Sequence, residues 1–427
     1  MIDNRGEIQQ YLRALIACEG ELLVIVEKYG KEAAATIAEI KAYPKAKIYA
    51  LQGDETDVES NAQKLYDKIV NFRPSKLFMH LRPESGFAIT VFDALPEEII
   101  NYQINLTDHA FWLGCKCLDY IFEFRPYGCT VSQEKRKIDK DKILLLPYYP
   151  ILNHRDFQGF PSSCTADKII LFSGGELYKI YGGNGLYFKI VKHILDENPQ
   201  AILLYAGDGD TGGVNAFIAE NKYENRFILL GFRQDINEVF KHCDIYLCTY
   251  PSAGGLMCQY AAVNGKPILA YNEPKARSKF IEDLICVNAN VQLTFTDPKR
   301  LTEEAGRLIT DKTYRKKKGA ELQHAVMTQE QFEREFKSII NSNKNRRQYI
   351  DYDAFFARYL ELENEHTDTF KLLIIRKFKF ATLKYFPRMT VWFIVYMLSG
   401  KGFKFVIKRK VGPFLHKQYN KLKTRYE

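Results

Sequence analysis

Short apolar runs recur along the first 270 residues, each followed by a glycine-rich or polar turn and then by a segment with helical spacing. In the first part of the chain the runs fall at 21–26, 47–51, 76–81, 99–105, 119–123 and 142–146. Helical patterns cover the N-terminal segment to Cys18, then 31–43, 58–72 and 87–95. A second series places strands at 168–173, 201–206, 226–230, 245–249 and 268–270, with a helix at 186–197. Runs of this length alternating with helices predict parallel sheets. In the second series, strand, glycine turn and helix recur at least three times, the pattern of a doubly wound sheet. The charged stretch 297–341 reads as a closing helix pair.

Pro150, Gly159 and Pro161 punctuate the stretch between the two series and mark a linker. The division is a first α/β domain at 1–150, a linker at 151–166, a second α/β domain at 167–345 and an extension at 346–427. A chain of 427 residues is long enough for two or three domains with separate cores.

Charge changes this picture at one end. Residues 371–427 hold 15 Lys/Arg and one acid, whereas the other 370 residues carry a net charge of −5. In the tail, aromatic and basic residues interleave around the apolar stretch 389–398. That stretch is too short to span a bilayer and too apolar for a nucleic-acid arm. It reads as a segment lying on an anionic membrane surface, with a helical subdomain packed on the second domain as the bland alternative. Nine cysteines without CxxC pairs or metal spacing predict reduced thiols and no metal site. A polar N-terminus gives no signal peptide, so the expected location is cytoplasmic and peripheral on a membrane.

The richest candidate chemistry lies at 244–271. An apolar strand runs into Gly254-Gly255, and a helical segment follows. Such a turn lets backbone amides approach a phosphate, and the helix dipole favours its charge. Lys179 sits in a second glycine-rich loop, after Gly174-Gly175, where an ammonium suits a diphosphate. Arg233, beside Asp235, follows another strand and has the chemistry to meet a nucleotide base. Asp108-His109 follow the strand at 99–105, His109 as a general base or hydroxyl ligand and Asp108 orienting it. His80, at another strand end, is a weaker candidate. Walker A, GxGxxG after a strand, HExxH and GxSxG are all absent, which removes the usual support for kinase, dehydrogenase, zinc protease and serine hydrolase chemistry.

Together these residues resemble GT-B glycosyltransferases, and most specifically the O-GlcNAc-transferase-like branch that includes bacterial cytoplasmic N-glucosyltransferases. The resemblance spans about 99–272. It rests on Leu177-Tyr178-Lys179-Ile180, Arg233, Gly254, Gly255 and Gly265-Lys266-Pro267 in the second domain. In the first it rests on Trp112-Leu113-Gly114, Asp119-Tyr120-Ile121, Lys142 and Pro147. It implies two Rossmann-like doubly wound domains facing a cleft, with a basic helical C-terminal extension. It implies a nucleotide-diphosphate sugar as substrate, with UDP the expected nucleotide, no cofactor and no metal. Gly174, Gly175, Lys179, Arg233, Gly254 and Gly255 would hold the donor, and His109 would face the reaction centre.

The chain departs from the family where a carboxylate grips the donor ribose, because Tyr260 stands there with Gln259 beside it. Both enter the candidate donor set. The glutamate pair of retaining enzymes is replaced by Ser252 and Tyr260, and the first domain opens with a helix instead of a strand and glycine loop. The expected activity is sugar transfer to a glycan or lipid-linked acceptor in surface polysaccharide assembly. A protein acceptor is the enzyme alternative, and a non-catalytic partner subunit is the alternative of another class. No nucleic-acid partner is expected.

Overall fold

The computed structural model describes residues 6–26, 34–51, 58–81, 86–105, 108, 112–152, 155–274, 276, 279–287, 291–344, 368, 371–376 and 378–399. All strand pairs in it are parallel.

The first domain begins with helix α1 (Gly6–Ala17), β1 (Leu22–Val26), α2 (Ala34–Ala42) and β2 (Ala46–Ala50). It continues through α3 (Val58–Phe72), β3 (Lys76–Met79), α4 (Gly86–Asp93), β4 (Ile100–Ile104), β5 (Tyr120–Glu123), α5 (Pro126–Glu134) and β6 (Ile143–Leu145). Its strands form two sheets: β1 with β2, and the ladder β3-β4-β5-β6. The alternation of the sequence gives the strands but not this split, because periodicity carries no information about which edges meet.

The second domain comprises β7 (Ile169–Gly174), α6 (Leu186–Glu197), β8 (Ala201–Ala206), α7 (Gly212–Asn221), β9 (Phe227–Gly231), α8 (Ile236–His242), β10 (Ile245–Leu247), α9 (Gly255–Val263), β11 (Ile268–Tyr271), α10 (Ile281–Leu284) and β12 (Thr294–Phe295). Its single sheet has the order β12-β11-β10-β7-β8-β9. Winding runs from β7 one way to β9, then returns to β10 and runs the other way, so the switch point lies between β7 and β10. Alternate residues of β7 serve opposite cores. Leu171 packs with Ile190, Ile194 and Leu301, whereas Ile170 and Phe172 pack with Phe240, Cys258 and Leu322.

Three helices, not a pair, close the fold: α11 (Pro298–Thr310), α12 (Lys312–Ala325) and α13 (Gln329–Ser342). Thr328 and Gln331 form a capping box that starts α13 cleanly. The third helix leaves the second domain. Phe332, Phe336 and Ile339 of α13 join Tyr11, Tyr102 and Phe122 in the core of the first domain. A division at 345 therefore assigns α13 to the wrong side by its packing.

The extension follows the same route. Residues 371–376 are helical, and α14 (Ala381–Tyr385) and α15 (Pro387–Leu398) come after them. Ile374 and Phe378 are buried with Leu65, Ile69 and Phe92 of the first domain, and Phe386 and Met389 pack against the same cluster. Lys384 pairs with Glu59 of α3 at 2.7 Å. The subdomain thus sits on the first domain, not on the second. The basic stretch beyond residue 399 lies outside the described residues.

Candidate active site

Two loops meet at the switch point of the second sheet, the crevice where ligands bind in open α/β folds. After β7 the chain passes Gly174-Gly175 into one turn of 3-10 helix, Leu177–Ile180. Gly175 has φ +129°, a conformation that a side chain resists, and a methyl group there would lie 3.3 Å from Lys179 Cδ and 3.7 Å from its Nζ. The lysine therefore lies across this glycine. A methyl on Gly254 would also be 3.7 Å from Lys179 Nζ. The backbones join as well, since Ser252 N donates to Lys179 O at 3.3 Å. The structure thus brings Gly174, Gly175, Lys179, Gly254 and Gly255 together.

Gly254 caps α9 in extended backbone, and no side chain satisfies the first amides of the helix. Its first turn holds no acid. The first N–H groups of a helix have no partner within it, so an anion held between them and the Lys179 ammonium satisfies both. Tyr250 follows β10 in the same loop as Ser252 and Gly254. Its ring lies 2.5 Å from where a methyl on Gly183 would be, and its hydroxyl is 3.4 Å from Glu273 after β11. Sequence reasoning passed over Glu273, because a single acid in a loop carries no pattern.

Three other donor candidates have different work. Arg233 donates to both carboxylate oxygens of Asp235, at 2.7 and 2.6 Å, and to Gly159 O at 2.9 Å. Asp235 also accepts from Gln158 N at 2.9 Å. The buried pair clamps the linker through Gln158 and Gly159. Tyr260 Oη donates to Ile151 O at 2.7 Å, and Gln259 Nε2 donates to Tyr148 O at 3.1 Å. Both side chains are buried against the linker and its approach. The carboxyl half of α9 holds the hinge, while its amino end faces the crevice.

On the first domain, Asp108 lies just beyond the carboxyl end of β4 and is 1% exposed. Arg125, after β5, grips both of its carboxylate oxygens, one through Nε and one through Nη2 at 3.0 Å. The same guanidinium reaches Asp283 of α10 at 3.2 Å, a bridge from the first domain to the second. Leu284 beside Asp283 packs 3.2 Å from where a methyl on Gly255 would sit. Asp108, Arg125 and α10 thus connect the acceptor edge to the amino end of α9. His109 lies outside the described residues.

Behind Asp108 lies Glu123, fully buried at the end of β5. It accepts hydrogen bonds from Asn105 Nδ2 at 2.7 Å and from Ser132 Oγ. Burial pushes its carboxyl up to about 7, against the pull of Arg136 and these donors. His80 ends β3 with its ring buried, which lowers its pKa to about 4 and keeps the imidazole neutral. Its Nε2 has no hydrogen-bond partner among the described residues. Among the described residues no group of three His, Cys, Asp or Glu side chains could hold a metal ion.

The fold and the crevice define the class, and the comparisons agree with it. Residues 167–311 match the family model for glycosyl transferases group 1. No curated protein matches the chain in sequence. Among solved structures it is similar to Anabaena HepE in complex with UDP and glucose, with TM-score 0.57 and 14% identity over 80% of this chain and 97% of that one. A glycosyltransferase from Rickettsia africae gives TM-score 0.58 and 14% identity, over 79% and 93% of the two chains. WaaG, a glycosyltransferase involved in lipopolysaccharide biosynthesis, gives 0.50 and 11%, over 79% and 96%. The fold is GT-B, as the resemblance of the residues implied. The family match falls on the second domain, and the activity class it supports is glycosyl transfer.

Proposed function

We propose that this protein moves a sugar from a UDP-sugar to a lipid-linked glycan, at the surface of an anionic membrane, in the assembly of a surface polysaccharide. The observation that carries the donor half is Lys179 lying across Gly175 and reaching Gly254. As the bond from the anomeric carbon to the diphosphate oxygen breaks, negative charge builds on the leaving UDP. The ammonium and the α9 amides face that charge, and fixed donors aimed at developing charge are usually the largest catalytic contribution. We assign the ribose hydroxyls to Glu273, a carboxylate after β11 within 3.4 Å of the Tyr250 hydroxyl, since Tyr260 supplies none. HepE with UDP and glucose supports the choice of nucleotide.

On the other side, the acceptor hydroxyl attacks the anomeric carbon and passes its proton to His109. Asp108, fixed by Arg125, positions that edge. The acceptor class follows from the extension. Val391, Ile394, Val395 and Leu398 follow helical spacing on α15 and are 62, 54, 60 and 82% exposed. Phe380 and Leu383 add exposures of 89 and 60%. Arg388 and Lys379 lie in the same short stretch, and each such cation near an anionic surface contributes about 1 kcal/mol. No helix among the described residues is long and apolar enough to cross a membrane. WaaG and its part in lipopolysaccharide biosynthesis support a glycan product.

A screen of UDP-sugars for hydrolysis and transfer tests the donor reading, with Lys179→Ala as control. Equal turnover in the variant would remove Lys179 from the site. Absence of UDP binding by calorimetry would favour a non-catalytic subunit. Liposome co-sedimentation with Val391→Asp/Val395→Asp tests the membrane face without disturbing Ile374 and Phe378, which a truncation at 371 would remove. Undiminished sedimentation with phosphatidylglycerol vesicles would sink the membrane assignment.

A further inference from the structure

The first domain contains a cavity of about 350 Å³, within the size range of small-molecule sites, that no part of the transfer chemistry uses. It lies at the break in the sheet. Among the described residues β1 pairs only with β2, and β3 only with β4, and the other edges of β1 and β3 both line the cavity along their length. The lining runs from Gly20 and Ser75 at the amino ends of these strands to Val26 and Leu81 at the other. Five or so residues of strand span roughly 17 Å at about 3.3 Å each, so the space is long and narrow. Its walls are completed by Leu12 and Leu15 of α1, Leu65 and Ile69 of α3, and Ala88 and Phe92 of α4.

Three observations bear on what fits. An apolar cavity of about 150 Å³ stays dry and takes up hydrocarbon, so the aliphatic middle of this one, lined by Leu12, Val24, Leu65, Ile69 and Leu77, suits an apolar guest. His80 stands in the wall with its Nε2 unpartnered among the described residues, a buried polar group beside that middle, while Glu21, Ser75 and Lys76 line the end at the start of β1 and β3. The third observation is position. Leu65, Ile69 and Phe92 also pack with Ile374 and Phe378, and through the same cluster with Phe386 and Met389, so the cavity shares walls with the extension that carries the exposed apolar face.

We infer that this cavity binds a single hydrocarbon chain with a polar head, a fatty-acyl or prenyl chain, its head towards His80. For its use in catalysis this rests on the lipid-linked acceptor reading; the binding chemistry itself does not. The cavity would then hold part of the lipid while the glycan it carries reaches the cleft. The split sheet follows as a requirement, since β1 and β3 in direct ladder contact would leave no slot.

The test uses the full chain and cis-parinaric acid, a fatty acid that fluoresces on entering an apolar site. Saturable binding at one site per chain is expected. Displacement by palmitate but not by geranylgeraniol would assign a fatty-acyl chain, and the reverse a prenyl chain. Ala88→Leu from α4 and Val24→Phe from β1 both narrow the slot from different elements. Each is expected to weaken binding by about tenfold or more, with UDP-sugar hydrolysis unchanged as proof of fold. Wild-type protein that binds no probe, or a folded variant that binds as well as wild type, overturns the proposal. Hydrolysis that persists in that case leaves the transferase reading standing, so the two failures are told apart.

Discussion

The two domains build their halves of the cleft from opposite materials. The second domain uses backbone: a continuous sheet, two glycine loops at its switch point and a helix end whose amides are open, with Lys179 as the added charge. The first domain uses buried side-chain charge, with Asp108, Arg125 and Glu123 packed behind the carboxyl ends of β4 and β5. Backbone sites bind without depending on neighbouring side chains. A buried charge cluster holds only while each member keeps its partner, so the first domain is the more fragile half.

That contrast predicts a ranking. Arg125→Ala removes the guanidinium that grips two buried carboxylates, Asp108 and Asp283, which costs on the order of 3–5 kcal/mol by denaturant unfolding. A loss below 1 kcal/mol would show that the cluster is solvated and the contrast overdrawn. Lys179→Ala is expected to leave stability alone and to lower kcat for UDP-sugar turnover by about 10²–10³. An equal loss of folding stability would mean that the donor side also depends on buried charge.

Glu123→Gln comes next and is a matter of pH. The carboxyl rises from 4.5 to about 7 in the folded state. Protonated Glu123 is thus favoured by folding. Its stabilising contribution is complete below pH 4.5, falls as pH rises, and is gone above about 7. At about 1.4 kcal/mol per pH unit this amounts to roughly 3 kcal/mol. Thermal unfolding of the variant at pH 5 and pH 8 should lack this slope, and an unchanged slope would place the titration elsewhere. The smallest effect is that of Tyr260→Phe, which loses one hydrogen bond to Ile151 O and about 1 kcal/mol of stability. UDP affinity by calorimetry should not move. A tenfold loss there would return Tyr260 to the ribose.

What could be read from the sequence divides along the same line. Gly175 and Gly254-Gly255 were legible because a backbone that must turn sharply and meet an anion leaves glycines at fixed places between strand and helix. The strands of both domains were legible from their apolar runs. The partners of Arg233, Gln259 and Tyr260 could not be read, because the target of a long polar side chain is set by what packs opposite it, here Tyr148 and Ile151 for α9 and Gly159 for Arg233. The bridge from Arg125 to Asp283 joins residues 158 apart, and local spacing holds no trace of it. The break between β1 and β3 was invisible for a related reason: alternation identifies a strand and its buried face but not its neighbour.

Helix α9 joins the two halves of this account in one rigid rod. Its amino end offers open amides to a diphosphate, and its carboxyl half carries the side chains that fasten the linker through Ile151 and Tyr148. A helix of nine residues moves as a unit, about 13 Å from end to end at 1.5 Å per residue. Cys258 and Ala261, midway along it, are fully buried in the core of the second domain, so its two ends are tied to each other through packed side chains as well as through the helix backbone.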